Sequence, residues 1–275
     1  MLNLLQEKLL GLLKWFDGFC RKENLRYYII GGTCIGAARH QGFIPWDDDA
    51  DVGMPRSDYE KLVSLFEESE NSIIDGFMLE TGKSNAKDFY YTFGKLYDTS
   101  TTMTEKTRFN CRRGVYIDVF PLDGMGDTYE ESLRHFSKID RKNMFLMTRV
   151  CAVEKRRSFY KNAAIVLSRL IPPFIVNDKK LVRKIDEMSA EKDFDECNYV
   201  CNTASTYRSR EIMERRIFGT PTEYPFEGEM LYGPENYDEY LTTLYGNWRE
   251  LPPKEKQVAH HDFIELDLEK SFLKK

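Results

Sequence analysis

Nowhere in the 275 residues is there a run of about eighteen apolar side chains, so no membrane-spanning helix is predicted. A signal peptide is not predicted either. Met1-Leu2-Asn3 carries no basic leader, and Glu7, Lys8 and Lys14 interrupt the apolar positions behind it. Basic excess is missing, with 40 Lys and Arg against 45 Asp and Glu and a formal net charge of −5. A general nucleic-acid binder carries the opposite balance, so nucleic acid is not an expected partner. Cysteine is scarce and scattered, at positions 20, 34, 111, 151, 197 and 201. A chain of this length needs no disulfide framework, and a reducing cytoplasm is the simpler setting. Cys197 and Cys201 have no second pair near them in sequence, so packed free thiols are favoured over structural zinc. No internal repeat occurs.

Against these absences stand two unusual stretches. The first reads Ile29-Ile30-Gly31-Gly32-Thr33-Cys34-Ile35-Gly36 and continues to Pro45-Trp46-Asp47-Asp48-Asp49-Ala50-Asp51-Val52-Gly53. An apolar strand over 27–30 breaks at two glycines. A short helix over 33–39 follows, and a loop leads into an acidic strand. Alternate side chains of a strand share a face, which places Asp47, Asp49 and Asp51 together and Asp48, Ala50 and Val52 opposite. Three carboxylates on one face repel unless a cation joins them, and hard oxygen ligands suit Mg²⁺ or Mn²⁺. Gly31 and Gly32 clear the backbone for a phosphate, and Thr33 offers a hydroxyl and a cap for the helix. Arg39 and His40 stand at the mouth of this site as candidate phosphate or substrate contacts, with a surface role equally open for His40. Taken singly, a Gly-Gly pair is a turn and an acidic cluster is solvated surface. Taken together, they are the equipment of metal-dependent phosphoryl-type transfer.

The second stretch is Val115-Tyr116-Ile117-Asp118-Val119-Phe120-Pro121, an apolar strand with one carboxylate inside it. An ionised Asp118 there needs a partner. A metal held by Asp49 and Asp51 would supply one, and Asp118 also suits a general base. A hydrogen-bonded structural Asp is the plainer alternative. Asp123 reads as a turn residue. A strand over 88–97 alternates Phe89, Tyr91, Phe93 and Lys95. Lys95 then either neutralises a phosphate or guards a sheet edge.

The remaining chain reads more simply. An amphipathic helix spans 2–23. A helix over 58–68 carries Ser57 and Glu60 as a capping box, and a strand covers 73–80. Residues 128–194 are mostly helical and end one helix at Pro172-Pro173. Lys155, Arg156, Arg157, Lys161 and Arg169 flank apolar segments there. That piece is an ordinary packed helix by default, with an anionic lipid surface as the alternative. Aromatic and Gly/Pro-rich loops surround a helix over 237–245, and the tail after His260 and His261 is polar and peripheral. The expected organisation is a catalytic core over 1–127 and a helical, loop-rich elaboration over 128–275. The elaboration contributes to substrate binding and packs with the core as one unit.

Four segments, GGTCIGAARHQGFIPWDDDADVGMPRSDYE at 31–60, GVYIDVFPLDG at 114–124, YPFEG at 224–228 and YGPENYDEYLTTLYGNWRELPP at 232–253, resemble the LicD family of phosphotransferases. Fukutin-related proteins are more distant relatives. The resemblance implies an α+β nucleotidyltransferase fold, with a mixed sheet core and flanking helices. It implies a transferase moving phosphocholine from CDP-choline, or another phospho-alcohol from CDP-glycerol or CDP-ribitol. The acceptor would be a hydroxyl of a surface glycan, a lipid-linked oligosaccharide or a teichoic acid precursor, with CMP released at the inner face of the membrane. In the family pattern Asp49 and Asp51 match the metal-binding pair, Asp118 the third carboxylate, and Asp47 the first Asp of PWDxDxD. Gly31, Gly32 and Thr33 match completely, and Glu227 lies in the matching YPFEG segment as a candidate substrate contact or supporting residue. Two alternatives stay open. One is a nucleotidyltransferase using an NTP and a sugar or small-molecule acceptor, since the same carboxylates serve that chemistry. The other is a non-catalytic glycan-binding protein, against which the intact Asp49, Asp51 and Asp118 argue.

Overall fold

Leu5, Leu9, Leu12, Leu13, Phe16 and Phe19 recur at helical spacing, and all are buried along one face of helix α1 (Leu4–Glu23). Asn3 starts this helix. Its side chain accepts from the Gln6 N–H at 2.9 Å while the Gln6 side chain accepts from the Asn3 N–H at 3.3 Å, a reciprocal cap. The Gln6 amide also donates to the carbonyls of Ile44 and Asp47, at 3.4 and 3.1 Å. The first helix therefore holds the loop that delivers the acidic segment. The computed structural model describes residues 2–84, 86, 88–153, 157–259, 261 and 263–274. Lys155, Arg156 and His260 lie outside the described residues.

A mixed sheet carries the site. Its strands are β1 (Tyr28–Ile29), β2 (Asp51–Pro55), β3 (Ile73–Ile74), β4 (Phe77–Glu80) and β5 (Gly94–Asp98). After two outlying strands, β6 (Thr102–Glu105) and β7 (Arg112–Arg113), comes the long β8 (Tyr116–Gly126). The order is β1-β2-β8-β5-β4-β3, and β9 (Tyr199–Cys201) and β10 (Met213–Glu214) extend it from the far half of β8. β2 runs parallel to β8, whereas β1, β5, β4 and β9 pair antiparallel with their neighbours. A hairpin of β11 (Thr222–Phe226) and β12 (Glu229–Gly233) packs against β1, and β13 (Phe263–Asp267) joins β6 and β7. Among the described residues six further helices surround these layers: α2 (Gly31–His40), α3 (Arg56–Glu67), α4 (Tyr129–Val150), α5 (Phe159–Arg169), α6 (Asp178–Ser189) and α7 (Tyr237–Tyr245). The result is an α+β architecture consistent with a nucleotidyltransferase-like fold.

The principal core draws side chains from Leu5 to Trp248, so late elements such as α7 and the β11–β12 hairpin share it with α1 and the sheet. A smaller core joins Met125 at the end of β8 to Phe136, Ile139 and Leu146 of α4 and Val182, Ile185 and Met188 of α6. Full burial of such a side chain is worth about 1.5–3 kcal/mol.

Several local expectations change. The stretch over 73–80 is two strands, because Asp75 (φ 51°) and Gly76 (φ 86°) both adopt left-handed backbone, as a two-residue hairpin turn requires. Residues 88–93 are irregular, so the strand holding Lys95 begins only at Gly94. That strand lies between β8 and β4, so Lys95 guards no edge. Helix α3 begins at Arg56 directly behind β2, without a side-chain cap, and Glu60 pairs with Arg56 and Lys83 instead of closing a box with Ser57. The segment after position 260 is not peripheral, since it supplies β13.

Asp123 is also not a turn residue. It is wholly buried within β8, and Arg56 grips it through two bonds of 2.6 and 3.1 Å while reaching Asp186 at 2.7 Å. Removing the guanidinium would strand a buried carboxylate. Arg56→Ala is expected to lose about 3–5 kcal/mol in urea unfolding, with Arg56→Lys losing less. A loss below about 1 kcal/mol would refute a structural role for this pair.

Candidate active site

Three neighbouring strands bring three charged side chains abreast. Asp51 of β2 stands opposite Asp118 of β8, and Lys95 of β5 stands opposite Asp118 from the other side. Directly opposed residues project from the same sheet face. Lys95 Nζ lies 2.9 Å from Asp118 Oδ1, an ion pair without hydrogen-bond alignment. It also sits 3.5 Å from the centroid of the Tyr116 ring and 4.9 Å from that of Tyr91. Burial alone would pull the Lys95 ammonium toward neutrality, but Asp118, Tyr91 and Glu105 outweigh it and hold its pKa above the ordinary lysine value. Burial pushes Asp118 up to about 6, against the opposing pull of Lys95. Asp51 is raised well above the usual carboxylate range, first by burial and then by Asp49 and Asp118.

The preceding acidic residues do not form the expected strand, because sheet pairing starts only at Asp51. Without a ladder the alternation of faces fails. Asp48, expected opposite Asp47 and Asp49, joins them instead, and oxygens of all three lie within 4.8 Å of one another. His261 secures Asp48 twice: its backbone N–H donates to Oδ2 at 3.0 Å and its Nδ1 meets Oδ1 at 3.1 Å. The same ring is 4.0 Å from Asp49 Oδ2 and 3.8 Å from Glu105 Oε1. Burial works against a charged imidazole, but Asp48 and Asp49 prevail and raise its pKa to about 9. His261 was not among the sequence candidates. Its partner lies 213 residues away, and nothing in its own neighbourhood marks it.

The glycines acquire a definite purpose. A Cβ on Gly31 would stand 3.0 Å from Asp51 Oδ2, and one on Gly32 would stand 2.9 Å from Asp47 Oδ2. The two carboxylates thus lie over the first turn of α2 where side chains would otherwise be. Gly31 has φ +57° and donates its N–H to Tyr240 Oη at 3.1 Å. Thr33 does not cap α2, which has Ile30 in the capping position. Its Oγ1 accepts from the Asp51 N–H at 2.8 Å and so anchors the start of β2. Burial, reinforced by Asp49 and Asp48, raises Asp47 to about 8.

The other sequence candidates stand apart. Arg39 donates to the carbonyls of Trp248 and Glu250 at 2.9 and 3.3 Å and to His40 Nε2 at 3.0 Å, bracing a late loop. Glu227 accepts from the Phe43 N–H at 3.0 Å and closes over Gly42, supporting the loop before the acidic segment. A cavity of about 500 Å³ opens above Asp49, Asp51 and Asp118, and neither Arg39, His40, Glu227 nor Lys95 lines it. The second half of the chain supplies its opposite wall, including Asn143, Thr203, Tyr207, Glu211, Tyr240 and Tyr245. Five carboxylates line it, and among the described lining residues Arg208 is the basic one, paired with Asp140. An anionic ligand approaches such a wall only with cations between. The all-oxygen donor set fits a hard divalent ion, and the Asp47–Asp49 cluster could hold one.

The family model described as the nucleotidyltransferase domain of LicD, FKTN and FKRP matches residues 24–150. The chain is 28% identical over 259 residues to the lipopolysaccharide cholinephosphotransferase LicD of Haemophilus influenzae, covering 92% of each chain. It is 36% identical over 79 residues to the human ribitol 5-phosphate transferase FKRP, covering 28% of this chain and 16% of that one. An uncharacterised protein of Rickettsia prowazekii is 41% identical over 59 residues, 22% of each chain.

The raised carboxylates give a signed pH dependence. Asp47, Asp51 and Asp118 hold protons in the folded state that the unfolded chain has already released. Their contribution to stability is complete below the ordinary carboxylate range and is lost as pH rises toward about 8. Without added metal, melting temperature is expected to fall between pH 5 and 8. Asp47→Asn should flatten the fall, and millimolar Mg²⁺ should add more stability at pH 8 than at pH 5. Equal slopes for the wild type and Asp47→Asn in calorimetry would contradict this assignment.

Proposed function

We infer that the chain is a nucleotidyltransferase-fold phosphotransferase of the LicD type and that it moves phosphocholine, or a related phospho-alcohol, from a CDP-linked donor to a glycan hydroxyl. The observation carrying this reading is the carboxylate-lined cavity in a chain that aligns along 92% of its length with a cholinephosphotransferase. Asp49, Asp51 and Asp118 would hold Mg²⁺ or Mn²⁺, with Asp47 and Asp48 beside them, and the ion would supply positive charge against the diphosphate and the departing CMP. Gly31 and Gly32 admit the carboxylates close to α2, and Thr33 fixes the backbone from which Asp51 projects. Asp118 would orient the acceptor hydroxyl and take its proton. Lys95 holds Asp118 from behind. The acceptor oxygen forms a bond to the phosphorus bearing the alcohol. The bond from that phosphorus to the bridging oxygen breaks, and CMP leaves with the electron pair.

The surface beyond α4 supports delivery of a lipid-linked acceptor. Phe159, Tyr160, Leu167, Leu170, Phe174 and Ile175 are exposed, Phe174 by 87% and Tyr160 by 84%. Residues 155–177 contain Lys155, Arg156, Arg157, Lys161 and Arg169 and no Asp or Glu, in a chain of net charge −5. Rings and aliphatic groups beside cations match the face of an anionic bilayer. No helix of the described residues is long and apolar enough to cross a membrane, so the proposed contact is peripheral.

Products separate the donor chemistries. With labelled CDP-choline, CDP-glycerol, CDP-ribitol and CTP, the expected outcome is CMP from CDP-choline and a phosphocholine-modified glycan by mass spectrometry. Asp51→Asn should cut turnover by at least about a hundredfold, in the range for removing one electrostatic catalytic group. Pyrophosphate from CTP, with no CMP from any CDP-alcohol, would establish the nucleotidyltransferase alternative. For the surface, sedimentation with phosphatidylglycerol vesicles but not phosphatidylcholine vesicles is expected. Phe159→Ser combined with Phe174→Ser should abolish it, and equal sedimentation of that variant would remove the membrane assignment.

A further inference from the structure

Glu211 is a buried carboxylate that the transfer chemistry above does not use. It closes the 3₁₀ turn Arg208–Glu211, is only 4% exposed, and lines the same cavity as Asp49, Asp51 and Asp118. Its hydrogen-bond partner is the Ser205 side chain, and among the described residues no cation pairs with it. The two arginines of its own turn are engaged elsewhere: Arg208 with Asp140, and Arg210 with the Leu244 carbonyl at 3.2 Å. A carboxylate buried without a cation is costly, and a ligand that brings one removes the cost.

Rings surround the same place. Tyr207 and Tyr245 meet edge to face with centroids 4.9 Å apart, and both line the cavity with Tyr240. Tyr240 and Tyr245 lie within electrostatic reach of Glu211. Tyr245 also approaches the phosphate end, because its Oη is 3.7 Å from the position of a Cβ on Gly31, and Tyr240 Oη accepts from the Gly31 N–H. The tyrosines therefore connect the carboxylate row to Glu211 along one wall. A quaternary ammonium has no N–H to donate, so rings and an unpaired carboxylate recognise it where hydrogen-bond acceptors alone do not.

We propose that Glu211, with Tyr207, Tyr240 and Tyr245, forms the subsite for the trimethylammonium end of the donor and selects choline over uncharged alcohols. This rests on the donor reading above. Glu211→Gln keeps the size of the side chain and its bond to Ser205 while deleting the charge. Tyr207→Leu removes a ring that is already partly exposed, with little risk to folding. Titration calorimetry with CDP-choline, CDP-glycerol and CMP is the test, run on the full chain after matched thermal unfolding. Both variants are expected to bind CDP-choline at least tenfold more weakly while CMP and CDP-glycerol stay within twofold. In turnover, KM for CDP-choline should rise more than kcat falls. Unchanged CDP-choline affinity in Glu211→Gln, or equal losses for CDP-choline and CDP-glycerol, would overturn the subsite. If the wild type releases CMP from CDP-choline in either case, the donor reading stands and only the subsite falls. A wild type that uses CTP and no CDP-alcohol would overturn both.

Discussion

Mutual repulsion among carboxylates is the constraint around which this molecule is arranged. Asp47, Asp48, Asp49, Asp51 and Asp118 occupy one small region, and each element nearby is disposed to hold them there. Lys95 pairs with Asp118 from the adjacent strand. His261 fixes Asp48. Gly31 and Gly32 leave room for Asp51 and Asp47. Gln6 and Glu227 hold the backbone that leads into the segment. A fold that spends so many contacts on keeping like charges together has an arrangement that could hold a divalent cation. Natural proteins concentrate such locally unfavourable arrangements at functional sites.

The sheet explains why these residues can sit so close. Parallel pairing of β2 with β8 sets Asp51 beside Asp118, and antiparallel pairing of β5 sets Lys95 on the other side. Register does the positioning, since a slip of one residue would turn Asp118 to the opposite face. Further along β8, Arg56 clamps Asp123 and ties α3 and α6 to the same strand. One eleven-residue strand thus carries Asp118 at the cavity and Asp123 in the buried clamp of Arg56.

Sequence and structure agree where the information is local. The heptad-like apolar spacing of α1, the Gly-Gly break and the lone Asp118 in an apolar run were all legible, as was the mixed α+β class. Disagreement begins where a residue's meaning depends on a distant partner. Asp123 reads as a turn residue because the arginine that clamps it lies 67 residues away. Lys95 reads either as a phosphate contact or as an edge residue because the strand order that buries it between β8 and β4 is not readable in sequence. Arg39 and Glu227 belong to matching segments, yet each contacts backbone outside its own segment. His261 and Glu211 had no local signature at all, since their significance comes from loops and strands arriving from elsewhere. The assumption of a strand through Asp47–Asp49 failed for a related reason: alternation holds only where a neighbouring strand pairs.

The bond between His261 and Asp48 spans 213 residues, and that span has a meaning in time as well as space. A ribosome adds roughly 5–20 residues each second, so the acidic segment emerges some ten to forty seconds before its imidazole exists. During that interval the nascent sheet can form while its most crowded charges remain unrestrained. The contacts of His261 with Asp48, Asp49 and Glu105 arise only once the segment leading into β13 has docked. This part of the acidic cluster is consequently completed late, although its aspartates are among the first residues to be made.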